Sequence, residues 1–302
     1  MELAWIPIAM AAGLFQAVRT AAQKSLNAQL STWMTTYVRS LYGLPVMLVY
    51  LWVVLSWEGL GAPSVSLVFL GHCLMTAVAQ VAGTYLLILL FQRSNFAVGT
   101  MLTKTDVMMA AIIGSVLFSE VISLTGWVAI LLTVLGVVLI SAGRARDALA
   151  RRGWRDWMVA PSTLIGLASG LSFCLSYLFL REASLVLDQG TPVYRAAWSM
   201  VTVTAMQCVF LGLWLMARER AEFAKLGRVV GPSVFIGITS ALGSIGWFTA
   251  MAMQNASYVK AVGQVEVVFT ILISTLYFRE RIRTLEYLGI ATIVGGVLMF
   301  LV

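Results

Sequence analysis

The chain reads as an all-α polytopic membrane protein, ten transmembrane helices arranged as two inverted five-helix repeats, and three observations predict this. Its 302 residues are 60% hydrophobic and only 11% charged, whereas a water-soluble globular domain carries about a quarter of its residues charged. Residues 83–141 and 243–301 lie over each other at a constant offset of 160 without a gap. The match includes polar residues that are rare in apolar runs: Asp106 falls on Glu266, Glu120 on Glu280 and Asn95 on Asn255. The third observation is a charge bias that alternates from loop to loop and reverses between the halves. In a bilayer, a repeat that carries charge at matching depths is the usual build of a secondary transporter.

A span needs about 20 mostly apolar residues, and such stretches fall near 5–27, 33–55, 65–91, 96–118, 125–142, 157–180, 192–216, 229–251, 256–278 and 285–302. Each is expected to be helical, because a segment in hydrocarbon must satisfy its own backbone hydrogen bonds. The first lacks a basic start and a small-residue cleavage end, so it reads as a retained helix. Gln16, Arg19 and Gln23 share one of its faces, with Asn27 a turn further on, and a one-sided polar stripe lines something polar. The second span carries Arg39 near its start, and the seventh carries Arg195. His72, the lone histidine, stands near the start of the third and is given no role. On the fourth, Thr100, Thr103 and Lys104 share a face just ahead of Asp106, while on the ninth Ser257, Lys260 and Gln264 do so just ahead of Glu266. The fifth and tenth carry small residues at three- or four-residue spacing, Ala129, Thr133 and Gly136, then Gly289, Thr292 and Gly296. Such faces let helices pack closely in lipid or support a homodimer. Trp5, Trp33, Trp57, Trp127, Trp154 and Trp157 near span ends suit interfacial anchors. Breaks such as Gln189-Gly190-Thr191-Pro192 are turn chemistry, with Pro192 placed to start a helix. The loops are expected only to connect.

Charge orients the bundle. Arg144, Arg146, Arg151, Arg152 and Arg155 crowd one connection, four basic residues lie in 217–228, and Arg279, Arg281 and Arg283 crowd a third, all on one face of a ten-span arrangement. The opposite face receives Glu58, Glu120, Glu182 and Asp188, with Arg181 as its main cation. Positive residues are retained on the cytoplasmic side, so both termini are expected outside the cytoplasm of a bacterial inner membrane. The net charge of +7 therefore marks loops of a chain partnered by membrane lipids rather than by nucleic acid. With five spans per half, the second half enters the membrane in the opposite sense. The organisation is a first repeat at 1–142, a basic linker at 143–156 and a second repeat at 157–302.

Two stretches carry a family likeness: Thr103-Lys104-Thr105-Asp106-Val107 running on to Phe118-Ser119-Glu120-Val121-Ile122, and Gly263-Gln264-Val265-Glu266-Val267 running on to Phe278-Arg279-Glu280-Arg281-Ile282. The chain resembles the EamA family of the drug/metabolite transporter superfamily, built as five plus five helices. Val107 and Val267 stand where a proline often follows the acid in that pattern. The resemblance implies a substrate/proton exchanger or metabolite exporter without naming the solute.

An ionised group at mid-bilayer persists only against a wet cavity or a partner. Gln16, Arg19, Gln23, Thr100, Thr103, Lys104, Ser257, Lys260 and Gln264 are the candidate substrate-binding residues. Asp106 and Glu266 are the candidates for proton coupling, since burial favours the neutral carboxyl and a nearby ammonium the charged one. Glu120 and Glu280, in turns, are expected to hold free backbone N–H groups, and Arg39 and Arg195 to be structural or to snorkel to an interface. The excess of cations points to a carboxylate or phosphate on the solute. No cofactor is implied: there is no Walker sequence, no Ser/His/Asp set and no His/Cys metal constellation. The rivals to an exporter are an intramembrane lipid-modifying enzyme and a channel or facilitator.

Overall fold

The computed structural model describes residues 3–93, 103–149, 161–278 and 284–301, and within them the chain is helical without a strand. Its helices are α1 (Trp5–Leu26), α2 (Thr32–Glu58), α3 (Leu67–Arg93), α4 (Asp106–Leu117), α5 (Leu124–Leu149) and α6 (Pro161–Val186). They continue with α7 (Pro192–Arg218), α8 (Arg220–Leu226), α9 (Val230–Met253), α10 (Ala256–Val262), α11 (Val265–Phe278) and α12 (Thr284–Leu298). Among the described residues six helices are long and apolar enough to cross a membrane. Local chemistry sets several ends. Ser31 and Thr191 cap α2 and α7 through their hydroxyls, which accept from the Met34 and Tyr194 N–H groups. Gly59 closes α2 in the left-handed region, φ 66°, where a side chain would be strained.

The packing has pseudo-twofold symmetry. The extensive contacts cross between the halves: α1 lies along α9 while α3 lies along α6, and α2 meets α7 while α5 meets α12. Helix α1 against α9 and α6 against α3 are one contact repeated. Helices α5 and α12 run antiparallel, because Gly136 faces Gly289 and Ile293 whereas Gly296 faces Ala129 and Thr133. A Cβ at Gly136 would stand 2.6 Å from the Gly289 carbonyl oxygen, and one at Gly289 2.5 Å from that of Gly136. The small-residue faces are therefore used inside the chain, with Ile293 rather than the half-buried Thr292 at the contact.

Four expectations are corrected. The spans drawn at 96–118 and 256–278 are not continuous helices: turns interrupt them at Lys104–Thr105 and Gly263–Gln264, just ahead of each acid. At the second, Gln264, Glu266 and Val267 donate to carbonyls three residues back, so the helix tightens without a proline. The helix of the fifth span does not end with its apolar stretch, since α5 runs on to Leu149 into the segment read as linker. The connection at 217–228 does more than connect: it folds as α8, and Glu219 and Glu222 accept from the Ser31 hydroxyl and N–H at the start of α2. Trp5 is buried, 3% exposed, edge-on to Phe300, instead of lying at an interface, whereas Trp57 is 82% exposed. Trp154 and Trp157 fall outside the described residues.

Candidate functional site

The site forms where the two interrupted helices meet α1 and α6. Each break delivers its acid toward the other half. Lys104 Nζ lies 2.7 Å from Glu266 Oε2, and Lys260 Nζ lies 3.6 Å from Asp106 Oδ2. Each half thus supplies one lysine and one acid, and both pairs cross between the halves. The lysines are not equivalent in the repeat register, since Lys104 corresponds to Gln264 and Lys260 to Thr100. Gly13 lets α1 approach the second break, with the Gly263 carbonyl oxygen 3.3 Å from where its Cβ would be, and Gln16 Nε2 donates to Glu266 Oε2 at 2.9 Å. Lys260 lies over the rings of Tyr177 at 4.2 Å and Trp247 at 4.5 Å, so two aromatic faces and one carboxylate hold its charge.

Two small voids adjoin this cluster. One, of about 40 Å³, is lined by Gln16, Arg19, Lys104, Asp106, Tyr177 and Glu266 among others. The second, of about 20 Å³, shares Gln16, Arg19, Phe173 and Tyr177 with it and adds Arg39, Gln80, Trp247 and Phe248. A water needs about 10–15 Å³ measured this way, so the voids have room for a few waters. A solute needs the lining side chains to part.

The polar stripe of α1 divides. Gln16 and Arg19 line the voids, while the buried Gln23 donates across to the Thr35 carbonyl oxygen at 3.4 Å. Arg19 is 8% exposed, and its Nε finds no hydrogen-bond partner among the described residues. Arg39 departs from the expectation of snorkelling: it is buried and lines the second void. Its guanidinium donates to the side-chain oxygens of Gln80 at 2.8 Å, Gln207 at 3.1 Å and Thr84 at 3.4 Å, all neutral. Arg195 stays apart from this cluster, half-buried at the start of α7. Thr103 lines the first void. Gln264 is buried, its amide turned back to the Lys260 carbonyl oxygen at 3.4 Å. Thr100 and Glu280 lie outside the described residues.

Glu120 works at the far end of the same helices. Its carboxylate accepts from the N–H groups of Ala256 at 2.7 Å and Ser257 at 3.4 Å, and from the Ser257 hydroxyl at 2.6 Å. The donors belong to the start of α10 in the other half, not to the helix after Glu120, so Ser257 is engaged there instead of in the voids. Arg181 stands 3.6 Å from Glu120 and donates to the Met251 and Gln254 carbonyls at the end of α9. An anion at a helix start and a cation at a helix end match the backbone partial charges there.

Reasoning from sequence did not single out Tyr177, Phe173, Gln80 or Gln207. The two glutamines carried a signal, being polar residues inside apolar spans; the rings carried none, since aromatic residues are common throughout this chain.

A multi-pass helical bundle that encloses ionised groups from both halves at its centre has the build of a membrane transporter. The chain belongs to the EamA-like transporter family, whose model matches it twice, at residues 3–142 and 160–302. A solved structure described simply as the crystal structure of a protein superposes with a TM-score of 0.69 over 99% of this chain and 97% of that one, at 14% identity; this likeness shows the fold alone. Comparison with the curated proteins gives no match.

Proposed function

We propose that the protein is a secondary active transporter of ten spans in two inverted repeats, which exports a small anionic or zwitterionic metabolite by alternating access, with protons handled at Asp106 and Glu266. The observation that carries this reading is the charge balance of the enclosed cluster: among the described residues, Arg19, Arg39, Lys104 and Lys260 stand against Asp106 and Glu266. Uncompensated buried charge is costly, and a solute bearing a carboxylate or phosphate relieves it while bound. The bacterial inner membrane, with both termini outside the cytoplasm, is the setting that the loop charges favour. An intramembrane enzyme fits less well, because both acids are engaged with lysines inside the bundle instead of converging at headgroup level.

The test is uptake of labelled amino acids and organic acids into inside-out vesicles, with and without a pH gradient. Saturable flux that responds to the gradient is expected. Flux that rises linearly with concentration would make the protein a channel, and no flux above protein-free vesicles for any anion or zwitterion would discard the reading.

A further inference from the structure

The lysines and the arginines at the centre stand in different company. Lys104 faces Glu266 and Lys260 faces Asp106, so each of these acids already has a lysine from the other half. Arg19 and Arg39, 8% and 5% exposed, line the smaller void together, and among the described residues that line it there is no acid. Arg39 donates to the neutral oxygens of Gln80, Gln207 and Thr84, while Arg19 Nε finds no acceptor among the described residues. Both arginines belong to the first half, on α1 and α2. Two like charges enclosed in one water-poor space repel each other and lose their hydration, and neutral acceptors do not cancel that cost.

We propose that Arg19 and Arg39 form one seat for a phosphoryl group carrying two negative charges, either as free phosphate or at the end of a small monoester. This rests on the transport reading above and narrows its solute; the lysine–acid pairs keep their bonds when the seat fills. Three features select the chemistry. The charge that the two pairs leave over is that of the two arginines, which a zwitterion does not cancel and a single carboxylate cancels by half, whereas a phosphate monoester bears about −1.5 to −2 at pH 7. Two planar guanidinium forks also match several oxygens carried on one atom, and such charge-assisted bonds are the strong ones. The space, finally, is small. The two voids share Arg19 and have room for a few waters, which suits the oxygens of one compact head and not the two separated groups of a dicarboxylate. The body of an ester needs the side chains around it to part; the head replaces water.

Calorimetry on the purified full chain tests the seat, with inorganic phosphate, glycerol 3-phosphate, dimethyl phosphate and alanine as probes. Phosphate or glycerol 3-phosphate is expected to bind, and the tighter of the two tells whether the head arrives free or esterified. Dimethyl phosphate, the same head with one charge, should bind about tenfold more weakly or worse, and alanine should give no heat of binding. Arg19→Gln and Arg39→Gln should each weaken the tighter probe about tenfold or more, the loss of a charge-assisted bond. Each should also narrow its margin over dimethyl phosphate, which a loss of packing alone would not do, and Arg19→Lys or Arg39→Lys should recover part of both. Variants are checked for a native elution profile, and the comparison of singly and doubly charged probes on the unaltered chain decides the matter even where a variant does not fold. Failure of both phosphate and glycerol 3-phosphate to bind, dimethyl phosphate binding as tightly as they do, or unchanged affinity in folded Arg19→Gln and Arg39→Gln overturns the proposal. Saturable flux of an amino acid or organic acid in vesicles alongside any of those results discards the seat and leaves the transport reading standing.

Discussion

At the scale of single residues the centre is held by two lysine–carboxylate pairs, and removing one partner of a buried pair costs more than removing both, because it strands a charge. Asp106→Asn and Lys260→Met should each lower stability in detergent by about 3 kcal/mol, Asp106→Asn by less because the rings of Tyr177 and Trp247 still hold the ammonium it leaves. The double variant should recover most of that loss; thermal unfolding of all three measures the coupling, and strictly additive losses would show that the pair is not one unit. Glu266→Gln and Asp106→Asn should flatten the pH dependence of transport in vesicles while the protein remains folded, and an unchanged profile in both would remove these acids from coupling. Lys104, Asp106, Lys260 and Glu266 were legible in the sequence because a charge in an apolar run stands out at the cost that lipid sets. Their partners were not. Periodicity gives the face a residue occupies and says nothing of which helix packs there, so the crossing of the pairs and the burial of Arg39 away from Arg195 emerged only in three dimensions.

Elements explain why the acids arrive where they do. Each interrupted helix ends a turn just before its acid, so Asp106 opens α4, and Glu266 lies in the first turn of α11. This break was not legible, because the sequence offers no proline there and Val107 and Val267 are compatible with a helix; only Gly263 hinted at it. Gly263 also admits the Trp247 ring, whose Cη2 would be 2.2 Å from an added Cβ. The glycine faces of α5 and α12 were legible as close-packing surfaces, whereas their mutual engagement was not, since a small-residue stripe names no partner. Backbone atoms oppose any side chain at that contact. Gly136→Val or Gly289→Val must spread the two helices, and overpacking of this kind costs about 1–3 kcal/mol. Each variant should unfold at a lower temperature in detergent, and Gly295→Ala, where an added Cβ meets nothing within 4 Å, should not.

On the scale of the whole molecule, bonds between the halves close the bundle at both ends. At the end that holds the termini, Glu58 accepts from the Thr191 N–H at 3.2 Å and from its hydroxyl, the Tyr194 hydroxyl donates to the Gly61 carbonyl oxygen at 2.7 Å, and Glu120 caps α10. At the other end, Glu219 and Glu222 of the second half hold Ser31 of the first. The central voids are far smaller than the 300 Å³ or more that a bound metabolite needs, so under the proposed alternating access a transport cycle releases one set of bonds at a time. Inverted halves make the two sets exchangeable, because packing that opens one end is the symmetry image of packing that opens the other. Cysteines placed at 58 and 191 in a background without Cys73, Cys174 and Cys208, joined by a short bifunctional thiol reagent, should stop saturable flux in vesicles. A second pair at 31 and 219 should do the same from the opposite end, and a reducible linker should restore flux in both on cleavage. Flux that survives either cross-link would show that end need not part, and alternating access would give way to a fixed path.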